Sequence, residues 1–416
     1  MQALLFDPAP RRLLWAGAAS RIRPTLALGR GAPLRLAELP TPQPPTPEWA
    51  QLQVLACGVC GSDVKQVLLQ ASSDNPLSGL VSFPHVPGHE IVARVLEPGA
   101  SGLAPGSAVV VDPWLGCVAR GVDPPCPSCR SGFPPHCRRV AEGGPWGGGA
   151  GLHLGNVRGL PGGFGELLCA HPSQLHPLPE GLPTRLAVLA DPVAVALHAV
   201  ERARQAGGGG RGPALILGAG TIGLSLTLAA REAWPERELW VTTAWEHQRQ
   251  PVQALGAEPW PAQAARVVPE AGRRLGARLV KPWRGGAWLL GSGVELVLDS
   301  IGDRRTTELG LRCLAPGGRM VSVGVGRPQR TETTLGYYKE AEMLGSNGYG
   351  RSTLREGAPH LLEQALELLA ARSEVLQRWL THSFPLTQYR EAVVAAAAPQ
   401  RSRAIKVTLL PGGHRP

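Results

Sequence analysis

Short apolar runs bounded by Pro, Gly and polar residues dominate the first part of the chain. Residues 1 to about 50 read as hairpin strands and loops with few helical periods, ending in Leu39-Pro40-Thr41-Pro42-Gln43-Pro44-Pro45. An apolar strand over Leu52 to Ala56 follows, then a short helix over Val64 to Gln70 and a polar loop from Ser72 to Ser78. Prolines 84 and 87 hold the next entry extended before an alternating strand that starts at Ile91. Later the pattern changes. Leu186 to Val200 reads as a helix that Asp191-Pro192 breaks, and Ala214 to Leu217 is a fully apolar strand feeding a helical run, Leu224 to Ala230. Leu239 to Thr242 and Val294 to Ser300 read as further buried strands, and Cys313 to Gly324 as a helix end, a turn and another strand. Ala358 to Ala371 has helical apolar spacing (Leu361, Leu362, Ala365, Leu366, Leu368, Leu369).

A chain of 416 residues with 43% hydrophobic and 18% charged residues is a globular protein too long for one core, so two domains are expected. No run of about 20 uncharged apolar residues exists, which predicts no membrane span or membrane partner. The first residues, Met1 to Pro8, lack the basic start and apolar core of a signal peptide, which predicts a cytoplasmic protein. The net charge of +10 comes from scattered Arg, with Lys only at 65, 281, 339 and 406. Without a basic run, nucleic acid is not an expected partner, whereas anionic small molecules are.

Eight cysteines, at 57, 60, 117, 126, 129, 137, 169 and 313, shift the emphasis to metal. Clustered thiols in a large chain without an export signal favour metal over disulfides. Cys117, Cys126, Cys129 and Cys137, two of them as Cys-Pro-Ser-Cys, predict a closed four-cysteine zinc site. Elsewhere Cys60, Ser62 and Asp63 bring a thiol, a hydroxyl and a carboxylate to the end of a strand, where they would serve as ligand, proton carrier and orienting acid. His89, leading into the Ile91 strand, is the candidate second ligand.

Gly218-Ala219-Gly220-Thr221-Ile222-Gly223 follows the apolar strand and opens the next helix, the context a dinucleotide-binding turn requires. Its glycines let the backbone approach a pyrophosphate at the positive helix terminus. About 20 residues on lies Glu238, but it precedes the strand Leu239 to Thr242. The strand's end, Thr243, offers no acid for the ribose hydroxyls, and Arg249 follows within reach of a phosphate. This favours NADP over NAD.

Cys60-Gly61-Ser62-Asp63 followed by Pro87-Gly88-His89-Glu90 resembles the zinc-containing medium-chain dehydrogenases, the alcohol, polyol and threonine dehydrogenases. The resemblance spans nearly the whole chain, with Thr381 to Leu386 and Ala404 to Leu409 similar to the family's closing strands. It implies an α/β fold in which a GroES-like β-rich catalytic domain is split around a Rossmann nucleotide-binding domain, with the active site in the cleft between them. The expected limits are 1–186 for the catalytic domain, with a structural zinc lobe at about 114–140, then 187–342, then a return over 343–416.

By the same resemblance Cys60 and His89 bind a catalytic zinc, Asp63 orients His89, and Ser62 relays the proton beside the substrate oxygen. Glu90 sits behind the metal and can approach it. Asp191 stands where the polyol and threonine branch has the Glu of a Glu-Pro, and is expected to complete the zinc site directly or through water. The family often places a proton-relaying His two residues after the Asp; here that position is Lys65, which relays only with a depressed pKa. The family's lobe has its first three cysteines two residues apart. Here eight residues separate Cys117 from Cys126, an extension costing on the order of 1 kcal/mol in closure entropy.

Cys57 is expected to be a packed neighbour, His198 a helix-face residue, and the glycine-rich stretch from Gly143 to Gly163 a linker or a lining of the substrate entrance. Trp114 and Leu115 are candidate pocket walls. The resulting expectation is hydride transfer between a secondary alcohol, polyol or amino alcohol and NAD(P), in a dimer or tetramer. Two other classes stand beside it, a zinc-free NADPH-dependent quinone or enone reductase of the same superfamily and a noncatalytic zinc-ribbon binding protein.

Overall fold

The computed structural model describes residues 1–22, 24–70, 75–210, 212–326, 330–354 and 357–412. Strands β1 (Gln2–Phe6) and β2 (Leu34–Glu38) pair antiparallel, Gln2 opposite Glu38 and Phe6 opposite Leu34. Their connection is not the expected loop, because it contains the helix α1 (Pro10–Ile22). Pro10 suits a first helical position, and the Arg, Leu and Ala that follow are strong helix formers. The apolar residues sit side by side as Leu13-Leu14-Trp15, which hides the helical period.

Strand β3 (Ala50–Gly58) buries Leu52, Val54 and Ala56 on alternate positions, as a half-buried strand should. It pairs antiparallel with β4 (Glu90–Glu97), and the register sets Cys57 opposite Ile91 and Gly58 opposite Glu90. Between them the helix α2 (Gly61–Val67) starts earlier than its apolar residues suggest. Of the polar loop expected from Ser72 to Ser78, residues 72–74 lie outside the described residues, and Pro76–Leu80 forms a 3-10 turn. Strands β5 (Ala108–Val111), β6 (Leu167–Ala170) and β7 (Leu175–Pro177) extend the same sheet.

Asp191-Pro192 does not break a helix. The two residues fall in the first turn of the helix Ala190–Gln205, where proline's missing N–H costs nothing. The next strands are β8 (Ala214–Leu217), β9 (Leu239–Thr243) and β10 (Glu258–Pro261). A two-stranded hairpin, β11 (Arg278–Val280) and β12 (Trp288–Leu290), precedes β13 (Val294–Asp299), β14 (Leu314–Ser322) and β15 (Glu342–Gly345). Six of these form one parallel sheet in the order β10-β9-β8-β13-β14-β15. That is the doubly wound dinucleotide-binding order, and its strands β8 and β13 are buried except for Glu295 and apolar except for Glu295 and the closing Asp299.

The chain leaves this sheet through the helix Leu361–Ala371 and closes with β16 (Leu380–Pro385) and β17 (Lys406–Leu410). β17 pairs with β3, so the first sheet runs β16-β17-β3-β4-β5-β7, with β6 also on β3. Two units result: Met1–Asp191 with Leu362–Pro416, and Pro192–Leu361. The second unit runs to Leu361 and contains the whole of β15. Among the described residues no helix is long and apolar enough to cross a membrane.

Candidate metal and cofactor sites

Cys60 ends the turn after β3 and caps α2 in an extended backbone conformation. Its N–H donates to Asp63 Oδ2 at 2.9 Å, so the third helical residue locks the turn that aims the thiol. The other carboxylate oxygen of Asp63 lies 3.6 Å from His89 Nδ1. Asp63 thus bridges the two predicted ligands, a position that orients the imidazole. Burial raises the Asp63 pKa, against the opposing pull of His89.

The Cys60 thiol, the His89 imidazole and the Glu90 carboxylate bring ligand atoms within 4.8 Å of one another. Sulfur, nitrogen and oxygen donors in that proximity suit a zinc ion. Burial would depress the His89 pKa, but Asp63, Cys60 and Asp191 hold it well above its usual value. Surroundings that retain a proton on this ring are equally able to hold a metal cation. Cys57, one strand position earlier than Gly58, is sealed in the core with its thiol pKa raised well above normal by burial. It is a packed residue.

Asp191 does not join the group. Its carboxylate is buried and acts on His89, Lys406 and Asp112 through its charge. Cys60 caps α2 just beyond the end of β3, Glu90 opens β4 opposite Gly58, and Asp191 lies in the first turn of the helix Ala190–Gln205. Glu90 also contacts Lys406 Nζ, and both side chains are 2% exposed. Burial works against the charge on Lys406, and Glu90 sustains it. This partner escaped the sequence reading, although a lysine inside the apolar strand Ala404 to Leu409 signals a buried counter-charge. Ser62 is exposed at the start of α2, and Lys65, one turn on, is half-buried.

The glycine-rich stretch is not a loose linker. A Cβ at Gly155 or Gly162 would meet the Gly88 backbone at 2.6 and 2.4 Å, and Gly155 has φ +89°. Backbone therefore stacks on backbone directly before His89, a close approach that only glycine permits. The same stretch brings His153 against His89, ring centroids 4.9 Å apart, and edge-on to Trp114 at 5.4 Å. Burial, reinforced by the positive charge on His89, pushes the His153 pKa down to about 3. Leu115, the other proposed wall residue, is a core residue instead.

Cys117, Cys126, Cys129 and Cys137 bring all four sulfurs within 4.8 Å of one another, with Cys117 and Cys137 Sγ atoms 3.6 Å apart. Backbone N–H groups of Cys117, Cys126, Arg138 and Arg139 donate to the sulfurs of Cys129, Cys117, Cys126 and Cys137 at 3.3 to 3.5 Å. The hydrogen bond from Cys129 lowers the Cys137 pKa to about 5, and that of Cys129 is raised in turn. Thiolate character stabilised inside a four-sulfur cage fits a tetrahedral zinc site. Within this lobe, buried Arg120 donates to the carbonyls of Leu115, Glu142, Gly143 and Gly151, tying it to the glycine-rich stretch.

In the second unit β8 is followed by Gly218, whose φ is +97° and whose N–H donates to Thr242 Oγ1 at 2.8 Å. A Cβ at Gly223 would meet the Gly218 carbonyl at 2.0 Å, so that glycine allows close packing of the turn on the helix Thr221–Ala233. A Cβ at Gly220 would meet nothing within 4 Å, which leaves the space before the helix N-terminus open for a pyrophosphate. Thr221 and Ile222 form the first turn of that helix. Thr243 donates its hydroxyl proton to the Trp260 carbonyl at 3.0 Å across the β9–β10 pair, which leaves only its acceptor lone pairs for another partner. Arg249 is 3.8 Å from exposed Glu246 on the same turn. Glu238 is engaged by Trp240 and Arg274 at the start of β9.

Residues 46–180 match the alcohol dehydrogenase GroES-like domain, and residues 239–372 match the zinc-binding dehydrogenase domain. The chain is 26% identical over 355 residues to L-galactonate-5-dehydrogenase of Escherichia coli K12, covering 82% of this chain and 86% of that protein. It is 25% identical over 388 residues to erythritol/L-threitol dehydrogenase of Mycolicibacterium smegmatis, covering 91% and 94%. The crystal structure of galactitol-1-phosphate dehydrogenase from Escherichia coli superposes with a TM-score of 0.71 at 21% identity, covering 99% of this chain and all of that one.

Proposed function

The chain belongs to the zinc-type medium-chain dehydrogenases, and from that membership we propose a catalytic zinc site on Cys60, His89 and Glu90, with Asp191 nearby. The enzyme is an NAD(P)-dependent alcohol dehydrogenase. Its substrate on this reading is a secondary alcohol carrying further hydroxyls, as the names of the sugar-acid and tetritol dehydrogenases it matches suggest. The observation that carries the site is the convergence of one sulfur, one nitrogen and one oxygen donor within 4.8 Å.

When bound, zinc at this site polarises the substrate oxygen and the nicotinamide accepts the hydride. The protein's residues do the rest. Asp63 fixes the His89 ring through Nδ1, leaving Nε2 as its donor atom. Ser62, exposed at the start of α2, takes the proton from the substrate hydroxyl and hands it towards solvent. Lys406 balances the charge of Glu90 from behind. The Gly218–Gly223 turn binds the cofactor pyrophosphate, and Arg249 favours the 2′-phosphate of NADP. Cys117, Cys126, Cys129 and Cys137 would hold a second, structural zinc.

Cys60→Ser tests the assignment. Metal analysis should give about two zincs per chain for the native enzyme and about one for the variant. Turnover should fall by more than about 100-fold, beyond the usual effect of changing a residue that merely supports a ligand. A fully active Cys60→Ser enzyme would remove the catalytic assignment.

A further inference from the structure

We propose that His153 is a hydroxyl-binding residue that selects substrates bearing a second hydroxyl next to the reacting alcohol. The proposal rests on the dehydrogenase reading above and adds to it a source of substrate preference. His153 is placed by contacts on both sides. Leu115 N–H donates to Leu152 O at 3.0 Å and Leu154 N–H to Pro113 O at 2.9 Å, so the segment lies antiparallel beside Trp114. His153 N–H donates to Asn156 Oδ1 at 3.1 Å, closing a turn whose Gly155 abuts Gly88. The ring is thereby held against His89 by backbone geometry, without relying on side-chain packing alone.

The ring's polarity follows from its one hydrogen bond. Nδ1 faces the Leu154 carbonyl oxygen at 2.5 Å, and a carbonyl only accepts, so Nδ1 carries the proton. In the neutral imidazole Nε2 then presents a lone pair. No described residue donates to it, and it is not among the sealed polar atoms of the fold. An accessible acceptor with no partner among the described residues, on a ring packed against a proposed zinc ligand, can take a hydrogen bond from a substrate donor that displaces water. A zinc ion on Cys60, His89 and Glu90 would engage the oxygen that is oxidised, so the donor must be a different hydroxyl. A neighbouring one is borne by the adjacent carbon.

The experiment compares 2,3-butanediol with 2-butanol, which share a carbon skeleton and differ by one hydroxyl. In the native enzyme the diol should be preferred in kcat/KM. His153→Phe keeps a ring against His89 and Trp114 but removes the acceptor, and should lower the diol-to-butanol ratio by roughly 10- to 100-fold. His153→Gln, which retains an acceptor, should restore part of that ratio. Zinc content of both variants reports whether the site remains assembled. Equal losses on both alcohols would overturn the proposal, leaving His153 as a support for His89, and so would an unchanged ratio. A native enzyme that oxidises 2-butanol but disfavours the diol would overturn this proposal alone. A native enzyme that oxidises no alcohol would overturn the dehydrogenase reading and this proposal with it.

Discussion

The first unit contains two cysteine-bearing clusters that solve different problems. The sulfurs of Cys117, Cys126, Cys129 and Cys137 come from one continuous stretch and are capped by backbone N–H groups of the same stretch. Four like donors fill a tetrahedron and leave no position for a substrate. The Cys60 cluster draws its donors from a helix cap and a strand end that are distant in sequence, and it has three. Beside it stand an exposed serine and a histidine with an unfilled acceptor. Donor number and donor origin therefore separate a site that closes a loop from one built to admit a ligand.

If that contrast holds, damage to the two clusters has opposite signatures. Cys137→Ser should lose one zinc and unfold in mild chelator, with activity declining only as the fold declines. A structural zinc contributes on the order of 10 kcal/mol in small zinc-dependent peptides, so this is the largest stability effect expected. Thermal unfolding with and without chelator, followed beside activity, measures it. Should Cys137→Ser keep both its zinc content and its melting temperature, the lobe is not a metal site. Cys60→Ser should show the reverse pattern, a stable and inactive protein.

The Glu90–Lys406 pair joins catalysis to the sheet itself. β17 delivers Lys406 to Glu90 while pairing with β3, so one ion pair ties the closing strand to the metal cluster. Lys406→Met leaves a buried carboxylate without its partner and should cost about 3–5 kcal/mol. The double variant Lys406→Met/Glu90→Gln removes the stranded charge and should recover much of that loss. Urea unfolding of the single and double variants gives the comparison. A single variant as stable as the native protein would mean that Glu90 is neutralised by something other than Lys406.

How far each site could be read from sequence follows from the same contrast. The four-cysteine lobe is local, so its spacing was visible even with the long gap after Cys117. The dinucleotide turn was equally plain, since an apolar strand, three glycines and a helix are contiguous. The Cys60 cluster needed the family resemblance to link residues 60 and 89, and the same resemblance drew in both Glu90 and Asp191. Lys406 and His153 were missed because their importance lies in what they face. The helix α1 and the edge strand β15 were missed for a different reason. The apolar residues of α1 are adjacent in sequence, and three of the four β15 residues are exposed, so neither carries the expected period.

The second unit supplies the smallest predicted effect and the finest distinction. Beyond β9 the only charged groups on the first turn are Glu246 and Arg249, 3.8 Å apart. A carboxylate there repels a 2′-phosphate and accepts from a ribose hydroxyl, whereas a guanidinium does the opposite. The pair is exposed enough that its mutual attraction is weak, so a bound cofactor decides which member it engages. Arg249→Ala should lower kcat/KM for NADP relative to NAD by about tenfold, equivalent to about 1.4 kcal/mol of lost charge-assisted bonding. Glu246→Ala should move the ratio the other way, by removing the repulsion and freeing the guanidinium. Raising the ionic strength should shrink both effects, since an exposed phosphate contact is screened. If Arg249→Ala leaves the NADP-to-NAD ratio where it was, the guanidinium is only the partner of Glu246, and the cofactor's 2′ group is read elsewhere on the turn.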